Sequence, residues 1–361
     1  MAKKVSKRKP SRSQGKKSSS LKKGLLAFAL ILVISLGISF TYFYTRIFSV
    51  NLVLNSDRTE FLFIKSDDTF QDVVNSLTEG GWLQNQSSFV WLAEFMKYDK
   101  NVHAGRYRLK KQMSNRELVN LLRSGKQEPI RLTLRGIRKK EQLISKVSKV
   151  LEADSAELSD LLSNRDYLKK FQLNSATALC LFLPDTYEFY WNTTADEFVD
   201  RMSREYQIYW DAERKKRAIA IGLNPVEVQI IASIVVQESN QRDEWPIIAG
   251  VYINRYKRGM LLQADPTVKF AVGDFDLRRI RSIHTSVESP YNTYKYHGLP
   301  PGPIYMAGKQ SMEAVLNYQR HNYLYFCARP DGSGYHSFAR SFEEHKKNAR
   351  SYHRNLNARG L

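Results

Sequence analysis

Residues 224–239, NPVEVQIIASIVVQES, predict one apolar helix whose two ends are both specified by the sequence, and the rest of the chain is organised around it. Asn224 is a favourable N-cap, Pro225 suits the first helical position, and Glu227 completes a capping box three residues after the cap. The aliphatic residues that follow recur at spacings of three and four. We therefore expect a helix with an apolar face that ends near Ser239.

Glu238 lies on the same predicted face as Val228, Ile231 and Val235. A carboxylate at the edge of an apolar face is partly desolvated, so its neutral form is favoured. An acid that stays protonated near neutral pH can act as the general acid in cleavage of a glycosidic bond. The alternatives are a carboxylate that reaches solvent from a helix end, or one that is paired with Arg242.

The charge of the chain favours a membrane partner over a nucleic acid. The net charge is +20, but residues 1–23 hold ten Lys or Arg and no acid, which leaves 46 basic and 36 acidic side chains in the remainder. A basic tail beside a hydrophobic segment is typical of a membrane protein. The remaining +10 suits an anionic surface such as lipid headgroups or cell-wall polymer, or is simply solvated.

Residues 24–44, GLLAFALILVISLGISFTYFY, lack charge over 21 positions and predict a transmembrane helix. Such a helix spans about 30 Å, the thickness of one bilayer core. A cleaved signal peptide is the alternative, but the run is too long and no small-x-small site ends it. The basic tail 1–23 is expected to be disordered and cytoplasmic, which places the chain from about residue 47 onward outside the membrane.

Two domains of mixed helices and strands are expected beyond the membrane, which makes the fold class α+β. In residues 50–134, strands at 61–64 and 106–109 accompany helices that begin near Thr69 and at the capping box opened by Ser114, and a further strand is expected at 130–134. This module shows no clustered catalytic residues, so a binding or spacer role is predicted.

Residues 135–361 predict a larger mixed domain that would contain any active site. Helices dominate as far as about residue 256, and the chain from Gly259 onward is rich in Gly, Pro, Asn and Tyr. Loops of this kind on a rigid frame commonly form sites. A hairpin is expected where the strand 323–328 and the segment 335–338 flank the turn Gly332–Gly334.

The chain lacks the sequence signatures of several other chemistries. It has neither a Gly-rich phosphate loop after a strand nor a G-x-S-x-G elbow, and its seven His lack zinc-ligand spacing. We therefore expect no metal and no cofactor. His336 and His345 suit hydrogen-bonding or surface roles, and Cys180 and Cys327 lie in apolar runs that favour two buried thiols over a disulfide.

Some residues of the loop-rich region suit a sugar ligand. Asn292 lies among tyrosines that include Tyr294, and sugar rings present CH faces to aromatic side chains and hydroxyls to amides. Core packing would explain the same tyrosines equally well. Asp185 and Asp265 each lie beside a proline, which makes each either a turn or cap residue or an acid of a site.

Several short motifs in order resemble the endolytic murein transglycosylase family (MltG/YceG-like). The motifs are ASIVVQE at 232–238, VYINR at 251–255, GM at 259–260, LQADPTV at 262–268, YNTY at 291–294, GLPPGPI at 298–304, YLYF at 323–326 and HSF at 336–338. The similarity is strong over residues 183–345. The anchor and the 50–134 module also fit, the latter resembling the LysM-like domain of that family.

The resemblance implies a membrane-anchored enzyme that cuts peptidoglycan glycan strands between N-acetylmuramic acid and N-acetylglucosamine and leaves a 1,6-anhydro-muramic acid end. The catalytic Glu of the family corresponds to Glu238, while Gln263, Asn292 and Tyr294 are predicted sugar contacts and Asp265 a loop-forming residue. Val236 replaces the first acid of the Glu-x-Glu often found in such families. Ala178-Leu179 likewise replaces the Glu-Gly pair that is usual in the family ahead of residues 183–187, which puts in doubt any role for an acid at this position.

The expected partners are peptidoglycan strands, the inner (cytoplasmic) membrane and the penicillin-binding proteins that synthesise peptidoglycan. Two other classes of function remain open. One is a non-catalytic, membrane-anchored scaffold that binds peptidoglycan, and the presence of Glu238 on an apolar face argues against it. The other is a membrane-tethered nucleic-acid binder, which the concentration of basic charge in the tail disfavours.

Overall fold

The chain folds into two compact units, Met1–Glu128 and Pro129–Leu361. The computed structural model describes residues 1, 5–6, 17–54, 59–277 and 279–358. Both units combine helices with short antiparallel strand pairs, which confirms the mixed helix-and-strand class. Most of the predicted disordered tail, residues 1–23, lies outside the described residues.

The first unit begins with the apolar helix α1 (Lys17–Phe48), which is longer than the predicted 24–44. Its segment Lys22–Phe48 is long and apolar enough to cross a membrane. The Arg46 guanidinium lies 4.8 Å from the Tyr42 ring centroid, near the end of the helix, where aromatic and basic side chains suit a membrane–water interface. A bent pair of helices in the second unit passes the same length and composition test, but the apolar residues of its second helix are buried in the core.

The rest of the first unit is a small mixed module with one apolar core. Antiparallel ladders join β1 to β4 and β2 to β3. The capping box predicted at Ser114, with Glu117, is present, and the helix expected to begin near Thr69 also has one, between Thr69 and Asp72. The elements are β1 (Val50–Leu52), β2 (Glu60–Ile64), α2 (Phe70–Glu79), α3 (Gln86–Phe95), β3 (Gly105–Leu109), β4 (Met113–Ser114) and α4 (Asn115–Arg123).

The second unit is mainly helical, with two further strand pairs. Its elements are β5 (Ile130–Thr133), α5 (Lys140–Ser148), α6 (Ser155–Leu161), α7 (Arg165–Lys169), β6 (Thr186–Phe189), α8 (Ala195–Tyr209), α9 (Ala212–Ala220), α10 (Pro225–Glu238), α11 (Trp245–Lys257), α12 (Asp265–Val272), α13 (Ser282–Thr285), α14 (Lys309–Leu316), β7 (Tyr325–Ala328), β8 (His336–Ala339) and α15 (Phe342–Ala358). Short 3-10 turns occupy Ala178–Leu181 and Arg242–Glu244.

The boundary between the units lies earlier than the predicted module end at residue 134. The strand expected there exists as β5, but it pairs with β6, where Leu132 is opposite Tyr187. Leu132 is buried in the same cluster as Leu181 and Phe198 of the second unit. The alternation of residues 130–134 identifies a strand but carries no information about its partner, so the sequence assigned this strand to the wrong unit.

Helix α10 is the central helix of the second unit. The Asn224 side chain accepts hydrogen bonds from the backbone N–H groups of Val226 and Glu227, and the Glu227 carboxylate accepts one from the backbone N–H of Asn224, as predicted. The sequence predicted one apolar face, but eight consecutive residues from Val228 to Val235 are buried. Helices α9, α11, α12 and α14 all pack against α10, and a helix surrounded in this way is apolar on every side.

The predicted hairpin near the C-terminal end of the unit is confirmed. β7 and β8 pair antiparallel, with Phe326 opposite Phe338, and α15 packs against both strands. Both cysteines are free thiols, as expected. Cys180 is buried, whereas Cys327, in β7, is only partly buried because its strand borders a cleft.

Candidate active site

Glu238 is the last residue of α10, where the buried helix reaches the protein surface. Ser239 adopts an extended conformation (φ −140°, ψ 138°) and ends the helix. The chain then turns into α11, which packs against α10, and the Glu238 side chain is partly buried. The negative end of a helix dipole also disfavours ionisation of a carboxyl group placed there.

Burial and hydrogen bonding together set the protonation of Glu238. Burial raises the pKa of this carboxyl to about 7; the nearby Asp265 also raises it, while a hydrogen bond from Tyr252 and the charge of Lys269 act in the opposite direction. Tyr252 donates from Oη to Glu238 Oε1 at 2.5 Å. Burial holds the pKa of the Tyr252 hydroxyl well above its ordinary value, so this residue remains a donor. Glu238 is therefore poised to exchange a proton near neutral pH.

Glu238 lines a cleft of about 340 Å³ that contains most of the predicted site residues. One wall is formed by the loop region before α12 and by the segment around Tyr294, and the other by the β7–β8 hairpin and α15. The lining residues are Glu238, Tyr252, Arg255, Leu262, Gln263, Asp265, Tyr294, Tyr325, Phe326, Cys327, Ala328, His336, Phe342 and His345.

Gln263 and Tyr294, both predicted sugar contacts, lie in the first wall. The Gln263 side chain is exposed, its backbone is left-handed (φ 51°), and its Oε1 accepts a hydrogen bond from Arg255 at 2.5 Å. Tyr294 donates from Oη to Asp265 Oδ1 at 2.6 Å. Asp265 is the first residue of α12, at the junction of the loop and the helix, and it also faces the cleft.

Asn292 lies elsewhere, because its side chain is fully buried. Its Nδ2 donates to the carbonyls of Thr285 and Val287, and its Oδ1 accepts from the backbone N–H of Tyr294. These bonds hold the loop that presents Tyr294. Asn292 therefore has no surface available to a sugar, and the structure corrects the prediction that it contacts one.

His336 and His345 line the second wall of the cleft. The backbone N–H of His336 and its ring Nδ1 both bond to the buried carboxylate of Glu244, each at 2.8 Å. Because the Glu244 carboxylate accepts this hydrogen bond, His336 Nδ1 is the donor, and Nε2 is the ring nitrogen that is not bonded to Glu244. His345 stacks on Tyr325 with 5.4 Å between ring centroids, and burial lowers its pKa.

Asp185 is absent from the lining of the cleft and forms an ion pair with Lys309 at 3.1 Å. The backbone of Thr186 and the Lys309 ammonium lower the pKa of Asp185, so it is an ionised structural group. Arg242 donates to Gln310 at 2.7 Å. Its partner is therefore Gln310, whereas the alternative considered from the sequence paired it with Glu238.

Sequence reasoning did not assign roles to Tyr252, Arg255 or Glu244. Tyr252 and Arg255 lie three residues apart on α11, and their spacing was consistent with a common face. A buried acid with a pKa near neutrality needs a hydrogen-bond donor, and the helix that follows Glu238 is the nearest element that could supply one. Glu244 gave no local signal, because its partner His336 lies 92 residues away.

Within the part of the chain that the structure describes, no cluster of three or more His, Cys, Asp or Glu side chains is arranged to hold a metal ion.

The fold and cleft define a mixed helix-and-strand protein with a partly buried acid at the end of its central helix. The chain belongs to the YceG-like family, whose model matches residues 62–351. It is 26% identical over 368 residues to a protein of Streptococcus pneumoniae R6 named endolytic murein transglycosylase, covering 91% of this chain and 65% of that protein. It is 34% identical over 173 residues to a Bacillus subtilis protein of the same name, covering 47% and 46%.

The chain thus spans about two thirds of the pneumococcal relative and about half of the Bacillus relative. A crystal structure of a YceG-like protein from Listeria monocytogenes is also similar, with a TM-score of 0.54 and 26% identity. The similarity covers 81% of this chain and 99% of the Listeria chain. This neighbour supports the same fold for most of the chain.

Proposed function

We propose that this protein is an endolytic lytic transglycosylase that cleaves peptidoglycan strands between N-acetylmuramic acid and N-acetylglucosamine. The observation that carries the proposal is Glu238, a carboxyl with a pKa of about 7 in a cleft lined by polar and aromatic side chains. The names of the pneumococcal and Bacillus relatives support the same substrate and the same class of reaction.

In the proposed reaction, Glu238 acts first as acid and then as base. Its proton passes to the glycosidic oxygen as the bond to C1 of the muramyl residue breaks. The carboxylate then takes the proton of the C6 hydroxyl on the same residue as that oxygen attacks C1. The products are a free hydroxyl on the leaving sugar and a 1,6-anhydro ring. No water is consumed, and the intramolecular attack gains the advantage of proximity.

In this scheme, the hydrogen bond from Tyr252 makes the two carboxyl oxygens of Glu238 play different roles. Because Tyr252 donates to Oε1, Oε2 is left to carry the transferable proton. The same hydrogen bond stabilises the carboxylate that forms after proton transfer. Gln263 and Tyr294, on the wall beside this acid, are the proposed sugar contacts.

The alternative reaction is hydrolysis, which ordinarily requires two carboxyl groups. Asp265 also faces the cleft and would be the second acid, although its Oδ1 already accepts a hydrogen bond from Tyr294. Mass spectrometry of products from purified murein in ¹⁸O-labelled water distinguishes the two reactions. We expect ends that are lighter by one water and free of label. Reducing ends that contain ¹⁸O would overturn the transglycosylase mechanism.

We further infer how the protein is placed in the cell. The helix Lys22–Phe48 follows a strongly basic segment, which supports a single-pass anchor in the cytoplasmic membrane with the second unit outside. The module that follows the anchor is proposed to be LysM-like and to bind glycan. Peptidoglycan synthases of the penicillin-binding class are proposed partners, because a cleaving enzyme at the membrane meets newly made strands.

A further inference from the structure

Three consecutive residues in the last turn of α10 line three different cavities. Glu238 lines the catalytic cleft, Gln237 lines a cavity of about 200 Å³, and Val236 lines a third of about 440 Å³. We call the second and third cavities together the basic groove. Its cationic lining residues are Arg135, Arg138, Arg242, Lys269 and Lys309.

The basic groove adjoins the cleft through neighbouring residues of the chain. Asp265 lines the cleft and Pro266 lines the groove. Arg138 joins the two cavities of the groove, because its guanidinium lies 4.6 Å from the Phe275 ring centroid and 5.2 Å from that of Tyr305. A polymer bound across Glu238 would therefore lie within reach of these cations.

The positive charge of the groove is largely uncompensated within the described residues. Lys309 is paired with Asp185, which also lies close enough to Arg135 to feel its charge, whereas Arg242 donates to the neutral amide of Gln310 at 2.7 Å and Arg138 to that of Gln237 at 2.9 Å. Neutral acceptors satisfy hydrogen bonds without cancelling charge. A concave surface with such an excess attracts anions, and the planar fork of arginine matches a carboxylate.

We propose that the basic groove binds the carboxylates of the peptides that murein strands carry, and so positions a peptide-bearing strand across Glu238. This inference rests on the proposed function. In such strands the lactyl carboxyl of each muramyl residue is consumed in the amide bond to the peptide, so the free carboxylates belong to the attached short peptides. Trp245 and Tyr305 add apolar surface beside Arg242, which suits the uncharged part of a peptide.

Binding to uncut strands tests the proposal separately from cleavage. The full chain with Glu238→Gln would be titrated with uncross-linked murein strands, with the same strands freed of peptides and with their lactyl carboxyls amidated, and with such peptide-free strands that carry a phosphodiester polymer. We expect the peptide-bearing strands to bind at least about fivefold more tightly than the peptide-free strands, with a preference that weakens as salt is added.

Adding Arg135→Gln and Arg242→Gln to this protein should abolish the preference for peptide-bearing strands. Lys216→Gln, which removes an exposed charge on α9 outside the groove, should retain it. If the double change lowers the melting temperature, Arg135→Gln alone serves, since Arg135 is exposed and should reduce the preference in part. Equal binding of strands with and without peptides, a preference that survives both changes, or tight binding of the phosphodiester strands alone would each overturn the proposal.

Discussion

At the scale of single residues, the chemistry depends on the proton of Glu238. Its carboxyl is partly buried at the end of a helix and is held by one hydrogen bond from Tyr252. Burial favours the neutral acid, while the hydrogen bond favours the carboxylate. The balance leaves a pKa of about 7, which lets one group donate a proton and then accept one at neutral pH.

Glu238→Gln should lower the rate of murein cleavage by at least about 10²-fold, since it preserves shape but removes the titrating proton. The folded state raises the pKa of Glu238 from 4.5 to about 7, so the native protein holds this proton more tightly than the unfolded chain. Stability from this group is thus present at low pH and is lost as the pH rises from about 4.5 to about 7.

Glu238→Gln should therefore also change how the stability of the protein depends on pH. Thermal unfolding should show similar melting temperatures for the two proteins at about pH 4 and a higher one for Glu238→Gln at about pH 8. A variant that retains activity, or a stability difference that does not change with pH, would contradict the assigned role of Glu238.

Tyr252→Phe should shift the pH dependence of cleavage. Loss of the donor removes the hydrogen bond that lowers the pKa of Glu238, so the pKa rises and activity persists to higher pH, by about one unit. Tyr294→Phe is the matched control, because that hydroxyl donates to Asp265 instead. The measurement is kcat/KM against pH. Equal shifts in the two variants would show that Tyr252 has no special influence on the acid.

At the scale of elements, strand β5 determines which residues can be deleted with the module without damage to the second unit. β5 pairs with β6, and Leu132 packs in the core of the second unit. A deletion of residues 50–128 leaves this ladder intact, whereas a deletion of residues 50–134 removes one of its two strands and exposes the apolar side chains of β6. The two deletions differ by six residues but should differ strongly in stability.

Deletion of residues 50–128 should leave cooperative unfolding of the second unit and reduce activity on whole murein. Deletion of residues 50–134 should lower its stability by several kcal/mol, on the scale of losing a few buried side chains. Denaturant unfolding followed by circular dichroism provides the measurement. Loss of cooperative folding after the shorter deletion would show that the module is structurally required instead of acting in binding.

At the scale of the whole molecule, the proposed function requires the mixed module that follows the anchor and the second unit to lie outside the cytoplasm. The ten basic residues of the tail 1–23 precede an apolar helix of sufficient length to cross a membrane. A reporter that functions only outside the cytoplasm should therefore be active when it is fused after Leu361. The mature protein should also keep its original N-terminus. Recovery of a soluble form that begins after Tyr44 would rule out the uncleaved anchor.

The sequence by itself determined the features that depend on local signals. The caps of α10, the turn of the β7–β8 hairpin and the apolar run of α1 are encoded within a few neighbouring residues. The raised pKa of Glu238 also follows the expected direction, because desolvation was already implied by its position on an apolar face.

The tertiary structure decided what depends on distant partners. It assigned β5 to the second unit, turned Asn292 inward to hold a loop, and paired Glu244 with His336. Local spacing cannot show such contacts, because a strand, an amide or a carboxylate has the same sequence signal whichever partner satisfies it. The hydrogen bond from Tyr252 likewise exists only because α11 folds back beside the end of α10.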